Sequence, residues 1–277
     1  MTNVTPLIHP TAIIAAGAVL GEGTSVGPYS IIGAHVRLGR DNRIGPHVVL
    51  DGHTTLGDEN TIYQFASVGA PPQDLKYRGE PSELRIGSRN IIRENVTLQP
   101  GTSGGGMLTS IGDQNLFMAN THVGHDCRVA NRCVVANGAA LAGHVTVEDG
   151  VIIGGLSGIH QFVRLGSVAM IGAGAMVAQD IPPYCMAQGD RASVQGLNRV
   201  GLERNGGNRD DLGVLREAYR VVFTPVGTEG EGKVFKERVA IARTLVGDNS
   251  RGLAFVGFIE SSERGIAPHH RAADQGV

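Results

Sequence analysis

An apolar residue returns at every sixth position over most of the first two-thirds of this chain. The register is unbroken from Ile8 to Val68, returns from Ile86 to Leu98, and runs again from Ile111 to Val177. A helix would need a period of about 3.6 residues and a half-buried strand a period of two. A period of six fits neither as one continuous element, so it predicts a short strand and a turn, repeated many times.

Three such units would close one triangular coil of 18 residues. Stacked coils would bury a continuous apolar column and pair their strands in parallel. We expect the apolar residue to point inward and the next residue, commonly glycine as at Gly27 and Gly45, to lie where the backbone turns. The pattern therefore predicts a mainly β protein built as a parallel β-helix, whose handedness does not follow from the period.

The composition agrees with a solenoid and argues against several functional classes. The chain has 41 glycines, no tryptophan and 4% aromatic residues, so its core must consist of Val, Ile, Leu and Ala. A formal net charge of −2 gives no bias toward nucleic acid. No apolar run approaches the roughly 20 residues of a membrane span, so we expect none.

The N-terminal segment and the cysteines both favour a cytoplasmic protein. The start, MTNVTPLIHPTAII, lacks a basic stretch followed by an apolar core, so we expect no secretory signal. Cys127, Cys133 and Cys185 are odd in number and lack metal-ligand spacing, which is typical of reduced thiols.

Breaks in the rhythm predict the domain organisation. Residues 70–85 and 99–110 carry prolines, charges and glycines in place of hexads, and we expect both to be loops expelled from the coil. The rhythm stops at QDIPP (179–183), where the two prolines are expected to end regular strand pairing. Helices are predicted at 210–223, 231–246 and 253–261. The prediction is a β-helix over 1–188 and a small α-helical domain over 189–277 that caps it.

Four histidines fall outside the inward positions of the repeat, at His122, His125, His144 and His160. His125 and His144 are 19 residues apart, about one coil, so we expect them to lie close together. One interpretation is a metal site, since three imidazoles can bind zinc. A second is acid–base catalysis by one histidine, and a third is a set of ordinary surface histidines.

Several segments together carry a family resemblance. These are THVGHDC (121–127), LAGHV (141–145), HQF (160–162), AQDIPPY (178–184), PPQDLKYRGEPS (71–82) and the GL-x-R of 201–204. The chain resembles the bacterial UDP-N-acetylglucosamine O-acyltransferases, hexapeptide-repeat enzymes that take the first step of lipid A synthesis. The resemblance covers the solenoid and the start of the C-terminal region, whereas the last 60 or so residues carry no recognised motif.

The resemblance implies a left-handed β-helix and a cytoplasmic homotrimer with active sites between subunits. It implies transfer of an (R)-3-hydroxyacyl chain from acyl carrier protein to the 3-OH of UDP-N-acetylglucosamine. The carrier protein brings the phosphopantetheine, so no cofactor and no metal are expected. Arg164, Arg191, Arg199, Arg204 and Arg209 could bind the acidic carrier, or they could be ordinary solvated arginines.

The resemblance also implies roles for individual residues. His125 would be the general base, and the Gly143 N–H would bind the oxyanion. Asp126 would orient His125, provided that the two lie at a corner, because neighbours on a strand face opposite ways. The residues implied in binding substrate are Gln73, Asp74, Lys76, His122, His144, His160, Gln161, Asn198 and Arg204. The floor of the acyl groove would be Ala169, Met170 and Ala173, with Ala173 disfavouring the longest chains.

Some positions depart from the family pattern and leave the acceptor open. Gln99-Pro100 replaces a common His-Arg near the sugar, and Val200 and Asn205 replace charged residues near the nucleotide. The acceptor could therefore be the 3-amino analogue of the sugar, which would give an amide.

Two further classes of protein stay open at this point. A related N-acyltransferase acts on a later UDP-sugar, but it carries an additional N-terminal domain, whereas hexads here begin at Ile8. A non-catalytic β-helix would need neither clustered histidines nor an expelled sugar-binding loop.

Overall fold

Short parallel strands dominate the computed structural model, which describes residues 8–270. The strands before the first loop are β1 (Ile13–Ile14), β2 (Val19–Leu20), β3 (Ser25–Val26), β4 (Ile31–Ile32), β5 (Arg37–Leu38), β6 (Arg43–Ile44), β7 (Val49–Leu50), β8 (His53–Leu56), β9 (Thr61–Ile62) and β10 (Ser67–Val68). Between the loops and just after them lie β11 (Glu83–Ile86), β12 (Ile91–Ile92), β13 (Thr97–Leu98), β14 (Leu108–Ile111) and β15 (Leu116–Phe117).

The remaining strands complete the solenoid and precede the helices. They are β16 (His122–Val123), β17 (Arg128–Val129), β18 (Val134–Val135), β19 (Ala140–Leu141), β20 (Thr146–Val147), β21 (Ile152–Ile153), β22 (Gly158–Ile159), β23 (Arg164–Leu165), β24 (Met170–Ile171), β25 (Met176–Val177), β26 (Cys185–Gln188) and β27 (Ser193–Leu197). The helices are α1 (Arg199–Arg204), α2 (Arg209–Phe223), α3 (Phe235–Val246) and α4 (Ser250–Glu260). Among the residues that the structure describes, no helix is long and apolar enough to cross a bilayer.

Every third strand joins the same sheet, so the coil has three parallel walls. The first sheet runs β1-β4-β7 and onward to β25, and the second β2-β5-β8 to β23. The third runs β3-β6-β9 to β24 and then adds β26 and β27. In the first sheet Ile13 pairs with Ile31 and Ile14 with Ile32, one 18-residue coil apart. The predicted parallel β-helix is confirmed.

The six-residue register fills the interior. Its members from Val26 to Val177 are all buried, and Phe117 and Leu141 are 0% exposed. Burial is incomplete at the N-terminal end, where Ile8 is 41% exposed although Ile14 and Leu20 pack against the core. The described chain stacks no further coil beneath that end, so its apolar residues lack a neighbour on one side.

The corners turn on a different residue from the one expected. The left-handed backbone conformation falls on the third residue after the inward one, as at Asp126 (φ 60°) and His144 (φ 63°). Asn, Asp and His tolerate this conformation better than most residues. Gly27, directly after an inward residue, is needed instead for close approach, since a Cβ there would lie 2.8 Å from the carbonyl carbon of Gly45.

The two expelled loops are shorter than predicted. The first loop covers residues 69–82 and the second loop residues 99–107, because β11 and β14 take the last residues of each predicted segment. Glu83 pairs with His53 thirty residues earlier, and Leu108 with Glu83 twenty-five residues earlier, in place of the usual eighteen. The four-residue strands β8, β11 and β14 of the second sheet are stacked neighbours, so they anchor the two loops at the same side of successive coils.

The two prolines shift the strand pairing but do not end it, which corrects the expectation. Met170 of β24 pairs in parallel with Met186 of β26, and β27 then pairs antiparallel with β26. The third sheet thus continues beyond residue 188. The segment after α4 also returns to the coil, where the Ala267 N–H donates to the carbonyl of Asp180.

The helical region contains three long helices, as predicted, but each begins at a different residue from the one predicted. Helix α2 begins one residue before 210, and α3 begins at Phe235, four residues after the expected 231. Helix α4 begins at Ser250, and α1 was not predicted. Asn208 caps α2, accepting from the Asp211 N–H while Asp211 accepts from the Asn208 N–H. The domain boundary at 188/189 stays a prediction, and residues 1–7 and 271–277 of those two ranges lie outside the described residues.

Candidate active site

A cavity of about 860 Å³ opens on the outer face of the first sheet. Its polar lining consists of Gln73, Gln99, His122, His125, His160, Gln161, Gln179, Asp190 and Arg191. Its apolar lining includes Ala140, Gly158 and Met176, the outward residues of β19, β22 and β25. Small outward side chains on successive strands leave an apolar channel beside a polar end, which suits an elongated ligand with a polar head.

Two of the histidines lie at corresponding corners of successive coils. His125 follows β16 and His144 follows β19, and their ring centroids lie 5.0 Å apart, edge to face. Phe162 stacks on the His144 ring, with centroids 4.4 Å apart. The expectation that His125 and His144 lie close together, which followed from their spacing, is confirmed.

His125 is hydrogen-bonded to its sequence neighbour Asp126. The Nδ1–Oδ2 distance is 2.8 Å, and the Asp126 side chain is fully buried. The pair lies at a corner, and the left-handed conformation of Asp126 brings both side chains to one side. A carboxylate only accepts hydrogen bonds, so Nδ1 of His125 carries the proton and Nε2 is left as an acceptor.

Gly143 lies against the imidazole of His125 and lines the cavity. A Cβ at position 143 would lie 2.5 Å from Cε1 and 2.6 Å from Nε2 of His125, closer than real Cβ contacts. Only glycine lets the ring occupy this position. Within the described residues, the Gly143 N–H donates no hydrogen bond, so it is free to meet a ligand.

Burial keeps two neighbouring imidazoles neutral. It lowers the pKa of His122, and the nearby His125 adds to this effect. Burial also lowers the pKa of His144, although Asp126 partly offsets it. His122 Nδ1 lies 2.7 Å from the hydroxyl of Thr97. Neutral imidazoles can form hydrogen bonds without adding charge beside His125.

One relative decides the family. The chain is 50% identical over 262 residues to the acyl-[acyl-carrier-protein]–UDP-N-acetylglucosamine O-acyltransferase of Aliarcobacter butzleri (strain RM4018), covering 94% of this chain and 97% of that protein. The chain belongs to this O-acyltransferase family.

Family profiles and solved structures agree with that assignment. The profile of UDP-N-acetylglucosamine O-acyltransferase domain 2 matches residues 180–267, and that of the bacterial transferase hexapeptide matches 108–143. The UDP-N-acetylglucosamine acyltransferase of Campylobacter jejuni is 34% identical with a TM-score of 0.88, over 95% of this chain and 100% of that one. The Acinetobacter baumannii structure is 40% identical with a TM-score of 0.85, over 94% and 99%. The chain is therefore an acyltransferase, and the expected fold and family are both confirmed.

The structure places the loop residues of this O-acyltransferase near the histidines. Gln73 lines the cavity, and its N–H donates to Oε1 of Gln99 at 3.2 Å. The charges of Asp74 and Lys76 reach His144, raising and lowering its pKa respectively, although burial has the larger effect. Asp74 also accepts the N–H of Lys76, which shapes the turn of the first loop.

Asn198 and Arg204 are not brought to His125 within one chain. They line a separate cavity of about 480 Å³ together with Val200, Asn205 and Met170. The Asn198 amide donates to the carbonyl of Val168 at 2.8 Å and caps α1. Within this chain Asn198 therefore fixes the start of α1, and neither Asn198 nor Arg204 lines the 860 Å³ cavity.

The expected floor of the acyl groove needs correction at one position. Ala169 is 0% exposed and belongs to the core, because the residue between a corner and a strand points into the coil. Met170 and Ala173 are exposed, but neither lines the 860 Å³ cavity. The apolar wall of the 860 Å³ cavity is formed instead by Ala140, Gly158 and Met176. Their small or flexible side chains at outward hexad positions are the sequence signal of this channel that was overlooked.

The metal interpretation finds two imidazoles and a carboxylate in place of three imidazoles. Donor atoms of His125, Asp126 and His144 lie within 4.8 Å of one another. However, Asp126 Oδ1 accepts the N–H of Thr102, and Oδ2 accepts from both Thr102 and His125. A carboxylate that already accepts three hydrogen bonds, one of them from His125, favours an acid–base pair over a metal ligand.

Two contacts were missed by sequence reasoning. Thr102 from the second loop binds Asp126, and Arg264, after α4, binds His160. The run of glycines around Thr102 marked that loop as functional, but nothing in the sequence tied Arg264 to a residue 104 positions earlier.

Proposed function

We propose that this protein transfers an (R)-3-hydroxyacyl chain from acyl carrier protein to the 3-OH of UDP-N-acetylglucosamine, as the name of its A. butzleri relative describes for an acyl chain. The observation that carries the proposal is the His125–Asp126 pair, set against Gly143 on a cavity with a polar end and an apolar channel. The proposed product is the first intermediate of lipid A synthesis.

The same geometry supports one mechanism. Nε2 of His125 takes the proton of the sugar 3-OH as its oxygen attacks the thioester carbonyl. Asp126 stabilises the imidazolium through Nδ1, as in other carboxylate–histidine pairs. The Gly143 N–H donates to the oxyanion, a contact worth about 2.7–4 kcal/mol. Collapse breaks the carbon–sulfur bond, and the departing thiolate takes the proton back from His125. The proton thus returns to the carrier's thiol, and the mechanism uses no metal or cofactor of the enzyme.

Substrate binding is proposed for the polar lining. Gln73, His122 and Gln161 line the cavity beside His125 and would bind the sugar and its phosphates. His144, next to His125, and the loop residues Asp74 and Lys76 would complete the sugar site. The role of each stays a proposal.

A homotrimer would explain why Asn198 and Arg204 lie away from His125. A neighbouring subunit could bring these residues to the nucleotide, and the solenoid carries exposed apolar side chains that an interface would cover. These include Ile31, Phe65, Ile91, Leu156 and Met170. We propose that Leu156, 73% exposed at a corner, packs between subunits. Sedimentation should give a trimer that Leu156→Glu weakens, whereas Val226→Glu, at a site 78% exposed in the helical region, should leave it intact.

We further propose that the enzyme works in the cytoplasm. Cys127, Cys133 and Cys185 are free and buried, which supports a reducing compartment. Burial raises the pKa of Cys127 to about 12 and that of Cys133 to about 11, so both stay as thiols.

A mass-spectrometric transferase assay tests the function. Purified protein is given UDP-N-acetylglucosamine or its 3-amino analogue, with acyl carrier proteins of several chain lengths. We expect an O-acylated product that disappears with His125→Ala while the protein keeps its melting temperature. Full activity of His125→Ala would refute the mechanism, and no product from any pair would refute the function.

The 3-amino analogue is the second candidate acceptor because of Gln99. Its side chain is neutral, buried and part of the cavity lining, at a position where a basic residue is common in the family. A neutral amide repels an amino group less than a basic side chain would. Exclusive N-acylation in the same assay would favour this acceptor, and best activity with the longest acyl chain would contradict the expectation for Ala173.

A further inference from the structure

The glycine-rich second loop has no role in the mechanism above, yet it closes over Asp126. The Thr102 N–H donates to Oδ1 of Asp126 at 2.9 Å, and the Thr102 hydroxyl donates to Oδ2 at 2.7 Å. From the following strand, the hydroxyl of Thr109 accepts the Asp126 N–H at 2.7 Å. One threonine therefore binds both oxygens of the carboxylate that binds His125.

These bonds fix the direction in which the carboxylate points. The Asp126 side chain is fully buried. Its backbone has a left-handed conformation at a corner, outside the regular strands. With Oδ1 bound to the Thr102 N–H, Oδ2 is directed at both the Thr102 hydroxyl and Nδ1 of His125. Loss of the hydroxyl would leave Oδ2 with His125 as its one donor, and the Thr102 N–H alone would then hold the carboxylate from the loop.

The glycines let the loop come this close. A Cβ at Gly105 would lie 1.9 Å from the carboxyl carbon of Asp126 and within 2.3 Å of both its oxygens. The neighbouring Gly104 has open space around its Cβ position. The N–H groups of Gly105 and Met107 both donate to the Thr102 carbonyl, which folds the loop back around Thr102. Close approach to Asp126 therefore explains the glycine at 105 but not the one at 104.

The second loop is also tied to the first. Ser103, next to Thr102, donates its N–H to Oε1 of Glu80 at 3.0 Å. At its start, Gln99 accepts the N–H of Gln73. Hydrogen bonds from the backbone of Arg78 and Ser103 lower the pKa of Glu80 to about 2, so this link stays charged at any ordinary pH.

We infer that Thr102 is the positioning residue of the His125–Asp126 pair, and that the second loop exists to bring it there and to fix the first loop beside it. Thr102 acts through Asp126 and does not line the cavity. The inference rests on the proposed function for its catalytic consequence, but its effect on the His125 tautomer is independent of any substrate.

The test compares Thr102→Val with Thr102→Ser and with a matched control, Thr54→Val. Thr54 is also a buried threonine whose hydroxyl makes one hydrogen bond, to the carbonyl of Asp51, away from the site. We expect Thr102→Val to lower kcat about 10- to 100-fold with little change in either KM, because a hydrogen bond to a charged group is lost. Thr102→Ser should restore most of kcat, and Thr54→Val should leave kcat unchanged. Unchanged kcat in Thr102→Val, or an equal loss in Thr54→Val, would overturn the inference.

A second pair of variants and a spectroscopic readout guard against a folding defect. Gly105→Ala should reproduce the loss of kcat, whereas Gly104→Ala, its immediate neighbour, should not.

In ¹⁵N spectra of the histidine side chains, His125 should be protonated at Nδ1 in the wild type and should be a mixture of tautomers in Thr102→Val. A wild type that shows this tautomer but no transferase activity would refute the proposed function and leave the inference standing. An unchanged tautomer in Thr102→Val would refute the inference alone.

Discussion

The guanidinium of Arg264 donates a hydrogen bond of 2.8 Å to Nδ1 of His160, joining the segment after α4 to the rim of the cavity. Arginine is protonated at every ordinary pH, so Nδ1 must be the acceptor and Nε2 must carry the proton. The 3.2 Å approach of Nδ1 to the Gln161 carbonyl is then not a hydrogen bond. Arg264 also donates to the Ala178 carbonyl at 2.7 Å, which holds the guanidinium in place. His160 therefore offers an N–H donor, at Nε2, in the lining of the cavity.

Replacing Arg264 by methionine should weaken substrate binding without unfolding the protein. Loss of the donor lets His160 adopt the other tautomer, which would present an acceptor in place of a donor. We expect kcat/KM to fall about 3- to 30-fold, the range for one hydrogen bond. Steady-state kinetics should show an unchanged rate for the control Arg128→Met, an exposed arginine in β17. If Arg264→Met lowered activity just as much in a His160→Ala background, the contact would not be the cause.

Gly143→Ala should remove most activity through a single methyl group. The added Cβ would overlap the His125 imidazole, which must then turn away from the cavity. We expect kcat to fall by at least about 100-fold, since a displaced base and a displaced oxyanion donor are lost together. Gly213→Ala is the control, because that position in α2 has open space and alanine favours a helix by about 1 kcal/mol. A Gly143→Ala enzyme with normal kcat would show that neither group acts as proposed.

The period of the sequence predicted the parallel coil because each inward residue makes the same kind of contact in every turn. Spacing alone assigned Val123 and Leu141 to the core, and it also predicted that His125 and His144 lie close together. The role of each glycine could not be predicted from the sequence, because a tight approach between coils and a positive φ both select glycine. Only the structure separates Gly27, which needs space, from corners such as Asp126.

Contacts between distant segments could not be predicted from the sequence. Arg264 meets His160, and Thr102 meets Asp126, through loops and helices whose paths no periodicity specifies. Ala169 was misplaced for a related reason, since the resemblance supplied a position in the chain but not the direction of its side chain. Repetition predicts what each coil shares, whereas the site depends on what interrupts it.

The buried imidazoles predict that stability falls in mild acid. Burial lowers the pKa of His122 and His144 below the value of about 6.5 expected in the unfolded chain. Below that pH the unfolded chain binds protons that the folded protein does not, so unfolding becomes more favourable. The stability is therefore complete above about pH 6.5 and is lost as the pH falls through the lowered folded-state pKa values. Melting temperatures from pH 7.5 to 5 should show a shallower decline in the double variant His122→Gln/His144→Gln than in His53→Gln, a control in β8. Equal slopes in both variants would exclude these two groups as the cause.

Removing metal should leave the enzyme active. Donor atoms of His125, Asp126 and His144 lie close enough together to bind a cation, so a metal requirement has to be tested. In the structure Nδ1 of His125 already bonds to Asp126, and Thr102 donates to both oxygens of that carboxylate. A zinc ion bound through Nδ1 of His125 would replace the proton shared with Asp126, and one bound through Nε2 would occupy the nitrogen that acts as the base. Dialysis against a strong chelator, checked by elemental analysis, should therefore leave kcat unchanged, and added zinc should not increase it. Loss of activity on chelation, with recovery on adding zinc, would establish a metal centre in place of the acid–base pair.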